Sequence, residues 1–184
     1  MALPIIDPIQ TSRLMVRVVG IDDLPDLLEI NGDPAVTHFL PYATWQTLDD
    51  ARAWFERMRA LVETGSARQM VIVRRADAKI VGTALLFKYD EGSARAELGY
   101  VIGRAHWRQG YAREALRALL AHAFEGLHLR RIEAEVNPDN VASDALLRAL
   151  GFVHEGFLRE RWVAKGRAYG VNVYGLLASD RALS

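Results

Sequence analysis

The sequence has no cysteine. Disulfide bonds, thiolate nucleophiles and cysteine-ligated zinc are therefore excluded, and this absence is typical of a protein from a reducing compartment. Its 5 histidines are scattered without the spacing of a metal-binding motif, so no metal site is expected. No run of about 18 apolar residues occurs, and the N-terminus lacks the basic start and apolar stretch of a leader peptide. A cytoplasmic location without membrane attachment is expected.

Charge of either sign is not in excess, because 23 Lys and Arg residues balance 23 Asp and Glu residues. Nucleic-acid binding draws much of its affinity from a basic surplus that releases counterions, so no nucleic-acid partner is expected. A length of 184 residues suits one domain, and no linker or internal repeat divides the chain. We therefore predict a single domain over 1–184, with 1–10 as an N-terminal extension.

Hydrophobic periodicity predicts alternating strands and helices along the chain. Strands are predicted over 13–19, 69–74, 79–88, 95–103, 130–137, 152–162 and 167–177. Helices are predicted over about 22–30, 47–62, 111–127 and 140–149, with an irregular stretch over 32–45. This order indicates an α/β (α+β) protein with a mixed sheet and helices on both of its faces.

The stretch 97–115 carries the strongest functional signal. A strand runs through a short loop directly into an amphipathic helix that begins at Tyr111. Unpaired backbone N–H groups and the helix dipole make such a helix N-terminus attractive to anions. Gly110 and Ala112 leave the backbone open to close approach, so a phosphate or pyrophosphate cradle is predicted. The glycine patterns of the P-loop and of the dinucleotide-binding fold are both absent.

The segment Trp107-Arg-Gln-Gly-Tyr-Ala-Arg-Glu-Ala115 resembles the acetyl-CoA loop of the GNAT N-acetyltransferases, written (Q/R)xxGx(G/A). Segments 11–17, 133–143 and 150–152 are similar to that family's opening strand, its later strand with helix cap, and its helix-to-strand corner. The resemblance covers about residues 10–178 and is nearest to the ribosomal-protein N-terminal acetyltransferase (RimJ/RimL-type) subgroup. It implies a mostly antiparallel central sheet of six to seven strands, with a splayed parallel pair that holds the coenzyme.

Two positions depart from the family's pattern. Trp107 replaces the usual Gln or Arg at the first loop position, which removes a side-chain contact but leaves the backbone cradle. Leu147 stands where many members carry a tyrosine that acts as catalytic acid. That role must therefore move to another residue or be absent.

The resemblance implies that acetyl-CoA is bound as co-substrate, with its pantetheine arm inserted between the splayed strands. The residues expected to bind it are Val101, Arg108, Gln109, Gly110, Tyr111, Ala112, Arg113, Asn137 and Asn140. For the two asparagines, the alternative is that they only satisfy local turns, as Asn often does.

Attack of an amine on a thioester requires the neutral amine, so a base must take its proton. An α-amine needs only a weak or water-mediated base, whereas a lysine needs a stronger one. Glu97 is the first candidate base, because it lies on a central strand in apolar surroundings that raise a carboxyl pKa. Glu135 on the neighbouring strand is second, and the alternative for both is an ion pair with an arginine. Ser143 is the candidate donor to the leaving thiolate, although a structural role behind the Asn140 cap explains it equally well.

The acceptor side is predicted to be lined by aromatic residues, namely Phe39, Tyr42, Trp45 and Tyr169. Loops on a rigid sheet commonly carry specificity, and three of these residues lie in the irregular stretch. Core packing is the alternative for Phe39 and Trp45. Trp54 and Trp162 are expected in the core.

The predicted function is transfer of acetyl from acetyl-CoA to a primary amine, by direct attack in a ternary complex. The acceptor is a protein N-terminus or a small amine. One alternative is a catalytically inactive acyl-CoA-binding sensor or adaptor of the same fold. Another is a nucleotide-binding domain that uses the same helix N-terminus for a different phosphate. The sequence leaves open the acceptor, the acyl-chain selectivity and the choice between monomer and homodimer.

Overall fold

The computed structural model describes residues 3–4 and 6–183, with side chains described as far as Asp180. Of the predicted N-terminal extension, residues 1, 2 and 5 lie outside this part. The described residues form eight strands: β1 (Ile9–Gln10), β2 (Leu14–Val18), β3 (Arg68–Arg74), β4 (Ile80–Asp90), β5 (Arg95–Ile102), β6 (Arg131–Val136), β7 (Val153–Ala164) and β8 (Arg167–Leu177). They also form five α-helices: α1 (Leu24–Asn31), α2 (Pro34–Thr37), α3 (Leu48–Glu63), α4 (Tyr111–Glu125) and α5 (Val141–Ala149). None of these helices is long and apolar enough to cross a membrane.

All the described strands belong to one sheet, in the order β1-β2-β3-β4-β5-β6-β8-β7. Neighbouring strands are antiparallel except for β5 and β6, which run parallel. A parallel pair needs a crossover connection, and α4 provides it. The predicted mixed, mostly antiparallel sheet is confirmed, with eight strands in place of six to seven.

Two hydrophobic cores lie on opposite faces of the sheet. On one face, α4 and α5 pack through fully buried residues such as Leu116 and Leu147. On the other face, α1 and α3 pack through residues such as Leu27 and Trp54. The prediction of helices on both faces is therefore confirmed.

The sequence pattern does not predict β1 or α2, because both are too short to show a hydrophobic period. β1 has two residues and pairs with β2 at the edge of the sheet. α2 is a single turn inside the stretch expected to be irregular, and Pro34 begins it behind the Asp33 cap. Several boundaries also differ by one or two residues: α4 ends at Glu125, where Gly126 caps it, β4 continues to Asp90 and β7 continues to Ala164.

One carboxylate fastens the segment before β2 to the start of α4. Glu114 accepts hydrogen bonds from Thr11 Oγ1 (2.6 Å), Ser12 Oγ (3.1 Å), and the backbone N–H (3.0 Å) and Nε (2.7 Å) of Arg13. Burial opposes the ionisation of Glu114, but these donors outweigh it and lower its pKa to about 2. The contact fixes the first turn of α4, which holds the predicted anion cradle.

Replacing Glu114 by glutamine should lower the free energy of unfolding by about 2 kcal/mol at neutral pH, because hydrogen bonds to a charged acceptor are lost. The folded pKa of about 2 lies below the unfolded value of about 4.3. The stabilisation is therefore present above about pH 4.3 and is lost as the pH falls toward 2. Urea unfolding should show a difference in the free energy of unfolding between wild type and variant that shrinks as the pH falls from about 4.3 toward 2. Glu56→Gln, at an exposed helix position, is the control, and the same pH dependence in both variants would contradict the assignment.

Candidate functional site

The parallel pair β5–β6 is joined over three residue pairs only, which end at Glu97 and Glu133. Beyond this point the two strands diverge, although β4 stays paired with β5 as far as Ile102. On the other side, β8 stays paired with β6 as far as Val136. The inner edges of β5 and β6 thus carry backbone N–H and C=O groups that no neighbouring strand uses. The predicted splayed pair is present.

A cavity of about 420 Å³ occupies this gap and is lined from both faces of the sheet. On the α1–α3 face, its lining includes Tyr42 and Trp54, and on the α5 face it includes Asn140 and Ser143. Its size is ordinary for a small-molecule site. A molecule that enters the gap can therefore be reached by groups from both sides of the sheet.

The side chains of β5 divide between the two faces. Leu98 and Tyr100 pack toward the core beneath α4 and α5, whereas Val101 packs toward α1 and α3. Because strand side chains alternate, Glu97 lies on the same face as Val101. A carboxylate therefore stands on the α1–α3 side of the gap, and the Tyr100 hydroxyl stands on the α4–α5 side.

Glu97 is buried at the point where the strands part, with 6% of its surface exposed. Its Oε2 accepts a hydrogen bond of 2.6 Å from Lys88 Nζ on β4, so its ion pair is formed with a lysine rather than an arginine. Burial raises the pKa of Glu97 above its ordinary value, and Lys88 opposes part of that rise. A carboxyl group with a raised pKa beside a cavity is suited to accept a proton near neutral pH.

Glu135 lies on β6 and also borders the cavity, but its oxygens are already in use. It accepts hydrogen bonds from Arg161 Nε (3.2 Å) and Nη2 (3.1 Å) and from the indole N–H of Trp162. Glu135 therefore forms the ion pair with an arginine that the sequence analysis gives as the alternative to its acting as the base. Glu97 is the better placed of the two carboxylates.

The predicted anion cradle lies at the start of α4, where Gly110 is the N-cap. Its φ of 78° is in the left-handed region that favours glycine. Asn140 caps α5 with its side chain, whereas Gly110 offers no side chain to the first N–H groups of α4. A Cβ on Gly110 would stand 3.4 Å from Arg13 Nη2. The first N–H groups of α4 thus have no side-chain cap, which leaves them available to an anion, while Arg13 closes one side of the turn.

The loop residues differ in what they can offer a ligand. Arg108, Gln109 and Arg113 are exposed, whereas the Tyr111 side chain is buried. Arg13 holds the loop, because its Nη1 donates to the carbonyl of Gln109 (3.0 Å) and its guanidinium lies 4.7 Å from the centre of the Tyr111 ring. The Tyr111 side chain thus supports the loop from the core, and its backbone N–H is the group available to a ligand.

Asn137, Asn140 and Ser143 line the cavity where β6 ends and α5 begins. Asn137 Oδ1 accepts from the N–H of Asp139 (2.9 Å), and Asn140 Oδ1 accepts from the N–H of Ser143 (3.2 Å). Both asparagine oxygens therefore serve local turns, although both side chains also border the cavity. Their contact with a coenzyme stays a prediction.

Tyr100 is a cavity residue that the sequence analysis does not single out. Its Oη lies 2.5 Å from Ser143 Oγ. Burial raises the pKa of Tyr100 to about 12, and the hydrogen bond with Ser143 opposes part of that rise. In the sequence Tyr100 belongs to an apolar run that is typical of a buried strand. The sequence still holds one indication of a polar contact here, because a tyrosine in a buried strand needs a hydrogen-bond partner for its hydroxyl group.

Most of the predicted acceptor-side residues line the cavity: Phe39, Tyr42 and Tyr169. Trp45 does not line it, so its acceptor-side assignment is corrected and the alternative, core packing, holds for it. It is 5% exposed, and its ring lies 5.5 Å from that of Trp54 in the core beneath α1 and α3. In this core its ring buries more apolar surface than it would at the wall of the cavity. Trp162, expected in the core, is partly exposed and lines the cavity instead. Further lining residues are absent from the sequence prediction: Leu40, Pro41, Arg57, Gln69, Thr83 and Phe87.

A second cavity, of about 460 Å³, adjoins the first on the acceptor side. The two share the lining residues Phe39, Leu40, Asn137 and Tyr169. The β7–β8 turn forms the outer wall of the second cavity, and there Lys165 Nζ donates to the carbonyl oxygens of Thr37 (2.7 Å) and His38 (3.3 Å). This Lys165 clasp joins the turn to the end of α2.

Comparison with known proteins agrees with this geometry. A family model described as an acetyltransferase (GNAT) domain matches residues 13–153. The chain is 34% identical over 176 residues to p20 of Bacillus licheniformis, an uncharacterized N-acetyltransferase, with 96% of this chain and 99% of that protein covered. It is 30% identical over 166 residues to the [ribosomal protein uS5]-alanine N-acetyltransferase of Escherichia coli, with 85% and 84% covered. The crystal structure of a GNAT-family acetyltransferase from Bacillus anthracis matches with a TM-score of 0.83 at 23% identity, covering 94% and 99% of the two chains.

Replacing Lys88 by methionine should raise the pKa of Glu97 further, because the charge that favours its ionised form is removed. Carbon-13 NMR titration of the Glu97 carboxyl group measures this change directly. Lys79→Met is the matched control, since Lys79 pairs with Asp26 and Glu29 and not with Glu97. A Glu97 titration that is the same in wild type and Lys88→Met would show that the ion pair does not act on Glu97.

Proposed function

The chain belongs to the acetyltransferase (GNAT) family, and on that premise we propose that it acetylates the N-terminal α-amine of a protein or peptide. Membership makes it an N-acetyltransferase that takes its acetyl group from acetyl-CoA. Catalysis is favoured over the inactive-adaptor alternative, because the similar proteins of Bacillus licheniformis and Escherichia coli are named as N-acetyltransferases. The family match also leaves the nucleotide-binding alternative without support.

One observation carries the proposal: the cavity passes through the sheet, with Glu97 on one face and Ser143 on the other. In a direct transfer, acceptor and donor must reach the same carbonyl carbon at the same time. A gap lined from both faces gives each of them its own approach. It also places a proton acceptor, Glu97, on the side from which the amine would enter and a hydrogen-bond donor, Ser143, on the side of the departing sulfur.

On the donor side, the residues of the cradle fit a diphosphate. The backbone N–H groups over 108–113 would bind it, and the exposed side chains of Arg108 and Arg113 add positive charge. The free inner edge of β5 near Val101 would pair with the amides of the pantetheine arm. Asn137 and Asn140 border that path. When bound, acetyl-CoA supplies the activated thioester carbonyl.

On the acceptor side, Glu97 would take the proton that the attacking amine loses. Its raised pKa brings it closer to that of an amine, which makes the transfer more efficient than it is for an ordinary carboxylate. Tyr42 and Trp162 also line this cavity, and Lys88 Nζ lies 5.8 Å from the centre of the Trp162 ring.

An α-amine suits this site better than a lysine side chain. At pH 7 about one-seventh of an α-amine with a pKa near 7.8 is neutral, against about one part in 2,500 of a lysine near 10.4. Positioning contributes roughly 7–11 kcal/mol, so one buried carboxylate is a sufficient base for an α-amine. The second cavity gives room beside the acceptor approach for the residues that follow an N-terminus. The similar Escherichia coli enzyme is named for an alanine of a ribosomal protein, which supports this acceptor class.

The remaining partner and location assignments stay predictions from the sequence. We place the protein in the cytoplasm, in line with the ribosomal-protein target in the name of its Escherichia coli relative. The choice between monomer and homodimer stays open in the same way.

Replacing Gly110 by valine should weaken acetyl-CoA binding at least about tenfold, because a β-branched side chain obstructs the backbone cradle. At a φ of 78°, the substitution also strains the folded chain by about 1–2 kcal/mol. Titration calorimetry with acetyl-CoA measures the first effect, and thermal unfolding measures the second.

Gly166→Val is the matched control for Gly110→Val. Gly166 has a φ of 72° in the β7–β8 turn, and a Cβ there would meet no atom within 4 Å. The control should lose similar stability and keep its affinity for acetyl-CoA. Equal weakening of coenzyme binding in the two variants would mean that Gly110 acts through the fold alone.

Turnover against a panel of amines tests the acceptor. Peptides with different N-terminal residues should give a higher kcat/KM than polyamines, free amino acids or lysine side chains. Glu97→Gln should lower kcat by about 100-fold or more and remove the acidic limb of the pH profile, because the proton acceptor is lost. Higher turnover with small amines would overturn the acceptor class. Turnover unchanged in Glu97→Gln would remove Glu97 from the mechanism.

A further inference from the structure

Two hydroxyl groups meet on the α5 side of the gap, and both residues line the cavity. Tyr100 Oη of β5 lies 2.5 Å from Ser143 Oγ in the first turn of α5. The serine is itself held, because its backbone N–H donates to the side-chain oxygen of Asn140 (3.2 Å). The pair therefore joins a strand that borders the gap to a capped helix.

Ser143 brings a hydroxyl group from the first turn of α5 to this end of the gap. Leu147 follows Ser143 by four residues, so it lies on the same side of α5, one turn further on. Leu147 is fully buried in the core and has no polar group to offer. At this end of the gap, α5 contributes the Ser143 hydroxyl, and β5 adds the Tyr100 hydroxyl from across the cavity.

The inference depends on which of the two hydroxyl groups donates the hydrogen bond. A pair of hydroxyls has two protons, and the bond between them uses one, so one proton is left to donate elsewhere. A phenol is more acidic than an aliphatic alcohol and is the better donor of the two. The geometry itself allows either hydroxyl to donate, and Tyr100 Oη also lies 3.5 Å from the Ser143 carbonyl oxygen. In the arrangement that we infer, Tyr100 donates to the nearer acceptor, Ser143 Oγ, which leaves the Ser143 proton for a group in the cavity.

We propose that Tyr100 is a positioning residue, whose hydrogen bond to Ser143 Oγ orients the Ser143 hydroxyl toward the sulfur of the departing coenzyme A. The inference rests on the proposed function. The amine nitrogen bonds to the acetyl carbon and gives its proton to Glu97. The carbon–sulfur bond breaks, and its electron pair stays on sulfur. Neither hydroxyl gives its proton away.

A hydrogen bond, rather than proton transfer, matches the acidity of these groups. Burial raises the pKa of Tyr100 to about 12, whereas an ordinary thiol has a pKa of about 8.5. Transfer of the Tyr100 proton to the departing sulfur would therefore run uphill by about three pK units or more. A donated hydrogen bond strengthens as charge develops on sulfur, so it favours the transition state over the bound substrate.

The pKa of the coenzyme A thiol on the enzyme tests the proposal without turnover. Wild type should lower this pKa below about 8.5, because a hydrogen bond to the thiolate stabilises the charged form. Tyr100→Phe and Ser143→Ala should each raise it again, by about one unit. Thiolate absorbance gives the titration, with desulfo-coenzyme A on the same variant as the blank. Tyr89→Phe is the matched control, since Tyr89 packs on the core and does not line the cavity.

Kinetics with the best amine of the panel give the second measurement. Tyr100→Phe should lower kcat about tenfold and leave the KM for acetyl-CoA unchanged, because the interaction forms only as the sulfur departs. The double variant Tyr100→Phe/Ser143→Ala should be no slower than Ser143→Ala, since Tyr100 acts through Ser143.

The outcomes separate the inference from the proposed function. If Ser143→Ala raises the thiol pKa and Tyr100→Phe leaves it as in wild type, the role of Tyr100 is overturned and the function stands. If the reductions in kcat caused by the two substitutions multiply in the double variant, Tyr100 acts independently of Ser143, and its positioning role is overturned as well. Absence of turnover by wild type with every amine would overturn the proposed function, whatever the thiol titration shows.

Discussion

The site depends on the short parallel contact between β5 and β6. If hydrogen bonds joined these strands along their whole length, the sheet would be closed and no passage would cross it. Pairing instead ends at Glu97 and Glu133, while β4 and β8 hold the outer edges of both strands. The gap is therefore kept open by paired strands rather than by a loop, and its unpaired backbone groups are fixed in place before any ligand arrives.

Because side chains alternate along β5, this strand places functional groups on both sides of the gap. Glu97 faces α1 and α3, and Tyr100, three residues later, faces α4 and α5. The spacing between them is that of a strand within a sheet, which varies little. In our proposal the strand that offers its backbone to the coenzyme also positions groups on both sides of the reacting carbonyl. Substitutions that tilt β5 would disturb all of these at once.

The sequence predicts those parts of the site that are contiguous in the chain. The strand, loop and helix around Gly110 follow from a glycine and an amphipathic pattern within one segment. The contacts it misses join distant segments, as between Tyr100 and Ser143, which are 43 residues apart. Periodicity marks Tyr100 and Trp162 as buried strand residues, but it cannot tell whether the space beside them is filled. For Trp45 the sequence leaves two alternatives, the acceptor side and the core, and the ring of Trp54 beside it in the core is a contact that only the folded structure shows.

The Lys165 clasp shows how differently the two halves of the gap are built. The donor half is built from β5, the start of α4, and the end of β6 with α5, whereas the acceptor wall combines the loop around α2, the helix α3 and the β7–β8 hairpin. The hairpin is tied to α2 by an ammonium group that bonds backbone carbonyls, so the tie does not depend on which side chains α2 carries. The residues of the wall are thus free to diverge while the clasp persists. Over evolutionary time, a descendant of this chain could acquire a new acceptor and inherit its donor chemistry unaltered.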